Sequence, residues 1–255
     1  MAIKVGVLGA SGRMGSEVCK AVCNDPETTL VAAIDEMKIG QDATNSNIRI
    51  TDDLSNIEGA DVVVDFTTAN SARKNLPAIA EMGIHAVVGT TGLAETDIEK
   101  LKGVFTNSNC VIASNFAISA VLMMRFSEMA APHFDNVEII EYHHNSKIDA
   151  PSGTALSTAE RIGASSKSWN QSSTVDLAFD GARGGITEDG ISIHSVRMEG
   201  MVAHQDVIFG TEGQTLTIRQ DSYDRSSFMP GVLIAVKGIE DYPGVTLGLE
   251  KFLHL

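Results

Sequence analysis

The chain has 255 residues, of which 43% are hydrophobic and 20% are charged, a composition typical of one large or two small globular domains. It contains 33 Asp and Glu against 19 Lys and Arg, which gives a formal net charge of −14. These figures exclude an intrinsically disordered chain and argue against nucleic acid or an anionic membrane as a partner.

The first part of the chain alternates apolar strands with helices. The strands are predicted at residues 3–8, 29–34, 62–64, 85–88 and 110–113. The helices between them are predicted to end near residue 24 and to span residues 71–82 and 95–105. Strands separated by helices of this length form βαβ units, so the sequence predicts an α/β fold with a Rossmann-type parallel sheet.

The pattern changes after about Ser114. Helices are predicted at residues 117–133 and 154–163, a strand at 137–142, a polar loop at 165–173, and strands at 191–197, 202–209 and 216–220. The last three strands have no helices between them, which favours an antiparallel or mixed sheet in an inserted α+β domain. An apolar helix at 228–237 is expected to return to the first domain. We therefore predict one domain from 1–114 and 225–255, and a second from 115–224.

The sequence gives little indication of a membrane-spanning segment or of a disulfide framework. No apolar run reaches the roughly 18 residues of a membrane-spanning helix, and the first residues carry no signal-peptide cleavage pattern. Cys19, Cys23 and Cys110 form no even disulfide framework, and the first two share an apolar helix face where both are predicted to be buried. A reducing, cytoplasmic location is expected.

The turn after the first strand has the spacing of a dinucleotide site. Its residues are Gly9, Ala10, Ser11, Gly12, Arg13, Met14 and Gly15. Glycines let the backbone approach a pyrophosphate, and the following helix N-terminus supplies amide donors. Asp35 ends the second strand 20 residues after Gly15, where a carboxylate can bond ribose hydroxyls. The alternative is a tight turn that only packs helix on strand.

Three further polar segments follow strands of the same predicted sheet. They are Asp65, Phe66 and Thr67; Gly89, Thr90, Thr91 and Gly92; and Ser114, Asn115 and Phe116. Each taken alone could be an ordinary turn. Because the carboxyl ends of parallel strands share one edge, where such sheets bind ligands, together they favour a site for a flat ring.

The segment 141–154 reads EYHHNSKIDAPSGT and carries an unusual local positive charge in an acidic chain. His143, His144 and Lys147 could hold an anion or transfer protons. Residues 152–154 open a helix whose free amides would bind a carboxylate. A surface loop with ordinary histidines is one alternative. A zinc site is another, but no CxxC or HExxH pattern is present.

These motifs, taken in order, resemble the 4-hydroxy-tetrahydrodipicolinate reductase family, also called dihydrodipicolinate reductase, of the diaminopimelate and lysine pathway. The resemblance extends over residues 9–231. Its most specific part is the segment 141–154, which is close to the family pattern E-x-H-H-x-x-K-x-D-A-P-S-G-T. The family combines a dinucleotide-binding domain with a mixed α+β domain that binds substrate and forms a homotetramer.

The resemblance implies a role for each matching residue. His143 would be the acid/base histidine and Lys147 the proton donor. His144, Gly153 and Thr154 would hold the substrate carboxylates, and the full set implied to bind substrate is His144, Lys147, Ser152, Gly153 and Thr154. The residues implied to hold the cofactor are Gly9, Ala10, Ser11, Gly12, Arg13, Met14, Asp35, Phe66, Gly89, Thr90, Thr91, Ser114, Asn115, Phe116 and Ala117.

The implied reaction is the NADH- or NADPH-dependent reduction of 4-hydroxy-tetrahydrodipicolinate to tetrahydrodipicolinate with loss of water, without a metal. Two departures from the family exist: Asp35 is not followed directly by an Arg that could hold a 2′-phosphate, and residues 164–173 have no match. Another nicotinamide-dependent dehydrogenase of small anionic substrates would share the glycine turn but not the segment 141–154. A non-catalytic NAD-binding sensor would not need Lys147.

Overall fold

The structure is a computed structural model that describes residues 1–44, 46–166, 169–170 and 172–255. Its strands are β1 (Ile3–Leu8), β2 (Thr28–Ile34), β3 (Ile50–Thr51), β4 (Val62–Asp65), β5 (His85–Val88), β6 (Cys110–Ile112), β7 (Asn136–His143), β8 (Gly185–Ile186), β9 (Ser192–Arg197), β10 (Ala203–Thr211), β11 (Gln214–Ser222) and β12 (Val245–Leu247). Its α-helices are α1 (Arg13–Asn24), α2 (Ala69–Glu81), α3 (Glu95–Val104), α4 (Ile118–Ala130), α5 (Gly153–Ser165) and α6 (Met229–Gly238).

The chain divides into two compact units. The first contains Met1–Ala117 and Arg225–Leu255, and the second contains Ile118–Asp224. The binding and assembly roles expected for residues 1–114 with 225–255, and for 115–224, stay predictions.

The first unit contains a seven-stranded sheet in the order β12-β6-β5-β4-β1-β2-β3, and all its strand pairs are parallel. All four residues of β4 are buried, as expected for a parallel sheet that is covered on both faces. The predicted Rossmann-type sheet is therefore confirmed. Helix α6 packs against α1 in this unit. The carboxyl ends of β1, β2, β4, β5 and β6 lie along one edge, which places the predicted cofactor segments together.

The second unit contains a five-stranded sheet in the order β11-β10-β7-β9-β8. The prediction of an antiparallel or mixed sheet is confirmed in its mixed form, because β7 and β9 pair in parallel while the other pairs are antiparallel. A parallel pair needs a long crossover, and the connection between β7 and β9 contains α5. Along β7, Val137, Ile139 and Glu141 alternate as buried residues.

Three local expectations need correction. The helix predicted at 117–133 ends at Ala130 and continues as the 3₁₀ turn Ala131–His133, because Pro132 cannot donate an intrahelical hydrogen bond. Cys23 is exposed, because α1 buries the stripe Gly15, Val18, Cys19 and Val22, and Cys23 lies one residue beyond it. The loop predicted at 165–173 begins inside α5, and its residues 167, 168 and 171 lie outside the described residues.

Two of the three cysteines are shielded from solvent. Cys19 and Cys110 are buried, and burial raises the pKa of the Cys19 thiol to about 12. Within the described parts of the chain, none of the helices combines the length and apolar character that crossing a bilayer requires.

Candidate active site

The turn between β1 and α1 can be built only with glycine at its first and last positions. Gly9 has a φ of 77°, and a Cβ atom there would lie 2.5 Å from the carbonyl oxygen of Phe66. A Cβ on Gly15 would lie 2.0 Å from the carbonyl oxygen of Gly9. Gly12 is the N-cap of α1 and provides no side-chain cap, so the helix starts with bare backbone. This close-packed turn at a helix N-terminus fits a pyrophosphate.

Asp35 follows β2 and faces the same turn. Its Oδ2 accepts a hydrogen bond from the Ser11 amide at 3.0 Å, and its Oδ1 accepts one from the Met37 amide at 2.9 Å. Lys38 also borders the turn, with Nζ 3.5 Å from the carbonyl oxygen of Ser11. A carboxylate and an ammonium group therefore both border the turn, where a ribose or a phosphate group would meet them.

A cleft of about 400 Å³ opens beside the turn. Four residues predicted to bind the cofactor line it: Gly9, Gly12, Asp35 and Phe66. The other lining residues are Leu8, Ile34, Glu36, Met37, Asp52, Leu54, Thr67, Thr68, Ser71, Lys74 and Asn75. The sequence reasoning missed Ser71, Lys74 and Asn75 of α2. Their i, i+3, i+4 spacing on one helix face was the signal that could have identified them.

The other predicted cofactor residues lie in part away from this cleft. Ala10 is buried beneath the turn, whereas Arg13 and Met14 begin α1 with Arg13 exposed. Thr91 and Ser114 are exposed at the strand ends, and Ala117 is buried with its amide bonded to the side chain of Asn115 at 2.9 Å. Their contacts with a cofactor stay predictions.

Two aromatic rings lie where strands β4, β5 and β6 end. The rings of Phe66 and Phe116 lie 5.9 Å apart between centroids. A Cβ atom on Gly89 would lie 2.1 Å from Cε1 of Phe66. Gly89 is therefore required by the close approach of the Phe66 ring, and the three residues form one packed floor at the predicted ring-binding edge.

Asp65 fixes two of the predicted cofactor turns to each other. Its side chain is fully buried, and Oδ1 accepts hydrogen bonds from the amide and hydroxyl of Thr67, at 2.9 and 2.7 Å, and from the hydroxyl of Thr90 at 2.7 Å. Burial raises the pKa of Asp65 although these hydrogen bonds act in the opposite direction. The turn after β4 and the turn after β5 are thus held as one rigid piece.

In the second unit, a buried carboxylate stands at the end of β7. Oε2 of Glu141 lies 2.6 Å from Nδ1 of His143. Arg197 at the end of β9 donates to both carboxylate oxygens, with Nη1 2.7 Å from Oε2 and Nη2 2.8 Å from Oε1. The amide of Ser152 donates to Oε1 at 3.1 Å. His143 is therefore connected to β9 and to the start of α5 through one side chain.

The charge state of Glu141 follows from these contacts. Burial alone would raise its pKa, but the hydrogen bonds with His143, Arg197 and Ser195 outweigh burial and lower the pKa to about 2. The hydrogen bond with Glu141 in turn raises the pKa of Arg197. Glu141 is thus a carboxylate at neutral pH although it is inaccessible to water.

This carboxylate is expected to contribute to acid unfolding. Its pKa is about 2 in the folded chain against an ordinary 4.5, so its stabilising contribution is present above pH 4.5 and is lost as the pH falls through about 2. The lost contribution is roughly 3 kcal/mol. We expect the difference in unfolding free energy between wild type and Glu141→Gln to shrink by that amount across this window. Urea unfolding at a series of pH values measures it, and a constant difference would contradict the assignment.

The remaining polar residues of the segment 141–154 follow β7. Nζ of Lys147 lies 2.7 and 2.8 Å from the two carboxylate oxygens of Asp149, and this hydrogen bond is the main cause that lowers the pKa of Asp149. His144 is exposed, with Nδ1 2.7 Å from the Ser146 hydroxyl. An ammonium group and two imidazoles are thus contributed by five consecutive residues.

Residues 152–154 open α5 as predicted. The hydroxyl of Ser152 accepts a hydrogen bond from the Ala155 amide at 3.2 Å and is the N-cap of the helix. No heavy atom lies within 4 Å of the position that a Cβ on Gly153 would occupy. The start of the helix therefore presents backbone beside open space, which suits an approaching carboxylate. The substrate contacts of Ser152, Gly153 and Thr154 stay predictions.

The sequence motif contains Glu141 and Asp149 but assigns them no role, and Arg197 lies outside it. No local pattern identifies Arg197, because its contact with Glu141 depends on the parallel pairing of β7 and β9. Across the described ranges, no group of three or more His, Cys, Asp or Glu side chains is arranged to hold a metal ion.

Two family models cover almost the whole chain. The model described as Dihydrodipicolinate reductase, N-terminus, matches residues 3–116, and the model described as Dihydrodipicolinate reductase, C-terminus, matches residues 119–253. The 4-hydroxy-tetrahydrodipicolinate reductases of Corynebacterium urealyticum and Cutibacterium acnes are 48% and 46% identical to this chain, and each match covers 99% of both proteins.

A solved structure agrees with the sequence relatives. Dipicolinate-bound dihydrodipicolinate reductase from Paenisporosarcina sp. TG-14 is 37% identical and superposes with a TM-score of 0.89, covering 98% of this chain and 99% of that chain. An amine dehydrogenase from Mycobacterium smegmatis is 14% identical, with a TM-score of 0.67 over 96% of this chain and 95% of its own, and shares the fold alone. The chain belongs to the 4-hydroxy-tetrahydrodipicolinate reductase family.

Proposed function

We infer that the chain reduces 4-hydroxy-tetrahydrodipicolinate to tetrahydrodipicolinate with loss of water, at the expense of NADH or NADPH, in diaminopimelate and lysine biosynthesis. The observation that carries this inference is the segment 141–154, which supplies His143, His144 and Lys147 within a chain that matches reductases of this name over 99% of its length. It is an oxidoreductase of the nicotinamide-dependent class.

The cofactor is proposed to bind at the glycine turn of the first unit. Gly9 and Gly15 leave no room for a side chain, which is the shape that a pyrophosphate requires. Asp35 accepts hydrogen bonds from the ribose, and the turns held by Asp65 receive the nicotinamide. When bound, the nicotinamide supplies a hydride, and the work of the protein is to hold and orient it.

The substrate is proposed to bind at the segment 141–154 of the second unit. The Paenisporosarcina relative binds dipicolinate, a planar ring with two carboxylates. In a chain of net charge −14, two negative charges need a local source of positive charge, and Lys147, the histidines and the start of α5 provide it. Loss of the 4-hydroxyl group as water leaves a C=C bond conjugated with the ring C=N bond. Hydride then adds at carbon 4, and Lys147 donates a proton to the ring nitrogen, where the negative charge develops.

Turnover distinguishes this function from the alternatives. The assay follows NADH oxidation with 4-hydroxy-tetrahydrodipicolinate generated in place by the preceding enzyme of the pathway. The proposal predicts oxidation that depends on that enzyme and its substrates. Oxidation only with a different small anion would indicate another dehydrogenase, and NADH binding without any turnover would indicate a sensor.

The two nicotinamide cofactors are expected to be used with little discrimination. Asp35 and Glu36 repel a 2′-phosphate, whereas Lys38 beside the turn and Lys74 in the cleft attract it. We predict that kcat/KM for NADH is at least as high as for NADPH, measured at fixed ionic strength. Lys38→Ala should lower the value for NADPH and leave that for NADH unchanged. A preference for NADPH beyond roughly a hundredfold, about 2.7 kcal/mol, would show that the cations dominate.

We further propose that the protein is a cytoplasmic homotetramer. Its three cysteines are free, as in proteins of a reducing compartment. Strand β11 lies at the edge of its sheet and exposes Leu216, and such an edge is commonly covered by another chain. A monomer in sedimentation equilibrium would count against the assembly.

A further inference from the structure

We propose that Glu141 and Arg197 are positioning residues of the active site, which together hold the imidazole of His143 and the substrate-binding start of α5 in their working orientation. This inference rests on the proposed function, because it takes His143 and α5 as parts of the substrate site. It adds two residues to which the family resemblance gave no role.

The carboxylate of Glu141 is the point where three segments meet. It accepts hydrogen bonds from His143 on β7, from Arg197 on β9 and from the backbone amide of Ser152 before α5. The bond with His143 is 2.6 Å long. A side chain that only neutralised a buried charge would not need to contact the backbone of the helix start.

The contact with His143 selects one form of the imidazole. An ionised Glu141 is an acceptor only, so the hydrogen on the ring must lie on Nδ1. Nε2 then carries the free lone pair, the arrangement in which a carboxylate orients a histidine in metal and hydrolase sites. The other groups around this carboxylate are Arg197 and Ser195 of β9 and the N-cap residue Ser152 of α5.

Arg197 extends the same arrangement to the proton donor. Besides its two bonds to Glu141, its Nη2 donates to the backbone carbonyl of Asp149 at 2.8 Å. The carboxylate of Asp149 in turn holds the ammonium group of Lys147. One guanidinium group therefore fixes the backbone of the residue that pairs with Lys147.

The test compares two glutamates on the same strand. Glu138 resembles Glu141 in chemistry, because it also bonds an arginine and a histidine. It pairs with Arg183, and its Oε2 lies 2.8 Å from Nε2 of His194. It does not contact His143. We expect Glu141→Gln to lower kcat by about 10- to 100-fold with an unchanged KM for NADH. The matched control Glu138→Gln should keep the wild-type kcat. Thermal unfolding of both variants measures how much stability each change removes.

A second readout reports directly on the imidazole. Nitrogen-15 NMR of the wild-type protein should show the Nδ1-protonated form of His143, and Glu141→Gln should show a mixture of both neutral forms. This measurement needs no turnover, so it distinguishes failure of the positioning role from failure of the proposed reaction. If Glu141→Gln does not fold, Arg197→Lys serves instead, because it retains the charge but loses the paired geometry. Arg197→Lys should lower kcat by a similar factor.

The proposal is overturned if Glu141→Gln, or Arg197→Lys in its place, keeps the wild-type kcat. Unchanged nitrogen-15 chemical shifts of the His143 imidazole in Glu141→Gln would also overturn the proposal. A loss of stability accompanied by wild-type kinetics would make the ion pair a structural element alone.

Discussion

Lys147→Ala is expected to lower kcat by roughly 10²- to 10⁴-fold, the usual loss when a positioned proton donor is removed. The affinity for NADH should stay close to that of the wild type, because Lys147 belongs to the segment after β7 in the second unit and the glycine turn belongs to the first. NADH oxidation gives kcat, and a fluorescence titration gives the dissociation constant of NADH.

Lys102→Ala is the matched control for this change. Lys102 forms an exposed ion pair with Glu99, one turn away on α3, with 2.6 Å between Nζ and the carboxylate oxygen. The substitution therefore removes a similar ammonium group that lies outside both proposed sites. It should alter neither kcat nor NADH affinity. An equal loss of NADH affinity and turnover in Lys147→Ala would contradict the separation of substrate and cofactor binding between the two units.

Gly15→Ala is expected to weaken NADH binding at least about tenfold and to cost on the order of 1–3 kcal/mol of stability, because the new methyl group must displace backbone. Its Cβ would lie 2.0 Å from the carbonyl oxygen of Gly9, and backbone atoms cannot rotate away as a side chain can. The turn must open, and the amides at the start of α1 then lose their alignment with the pyrophosphate. Thermal unfolding and an NADH titration measure the two effects.

Gly103→Ala provides the opposite case. This glycine lies inside α3, and no heavy atom lies within 4 Å of the position of its missing Cβ. Because alanine is the better helix former, the change should stabilise the protein by about 0.5–1 kcal/mol and leave NADH affinity unchanged. Wild-type affinity in Gly15→Ala would show that the tight glycine turn is not required for the cofactor.

The regular elements could be predicted because they are long and periodic. The alternation of apolar strands with helices defined the parallel sheet of the first unit. Strands β3, β8 and β12 were missed because they have only two or three residues and, unlike β6, do not follow one of the predicted helices of the βαβ alternation. The parallel pairing of β7 with β9 was missed because it depends on α5 as a crossover. Cys23 was misplaced because i, i+4 spacing shows which residues share a face but not how wide the buried stripe is.

The candidate site was predictable where its residues are consecutive. The segment 141–154 and the glycine turn each lie within fifteen residues of sequence, so their patterns were visible. Arg197 is separated from Glu141 by 56 positions, and only the register between two strands brings them together. Lys74 lines the cleft beside the glycine turn from α2, and its i, i+3, i+4 spacing with Ser71 and Asn75 was the only signal for it in the sequence.

The order of the strands in the first unit has a consequence for co-translational folding. Strand β12 completes the sheet beside β6, and α6 packs on α1, yet both are synthesised after the whole of the second unit. Lys237 of α6 also forms ion pairs with Asp25 and Glu27, more than 200 positions earlier. A nascent chain must therefore keep the flank of α1 and the edge of β6 uncovered while more than a hundred further residues emerge. Exposed apolar surface and unpaired strand edges bind chaperones and aggregate, so translation speed through the second unit sets how long the nucleotide-binding half stays vulnerable.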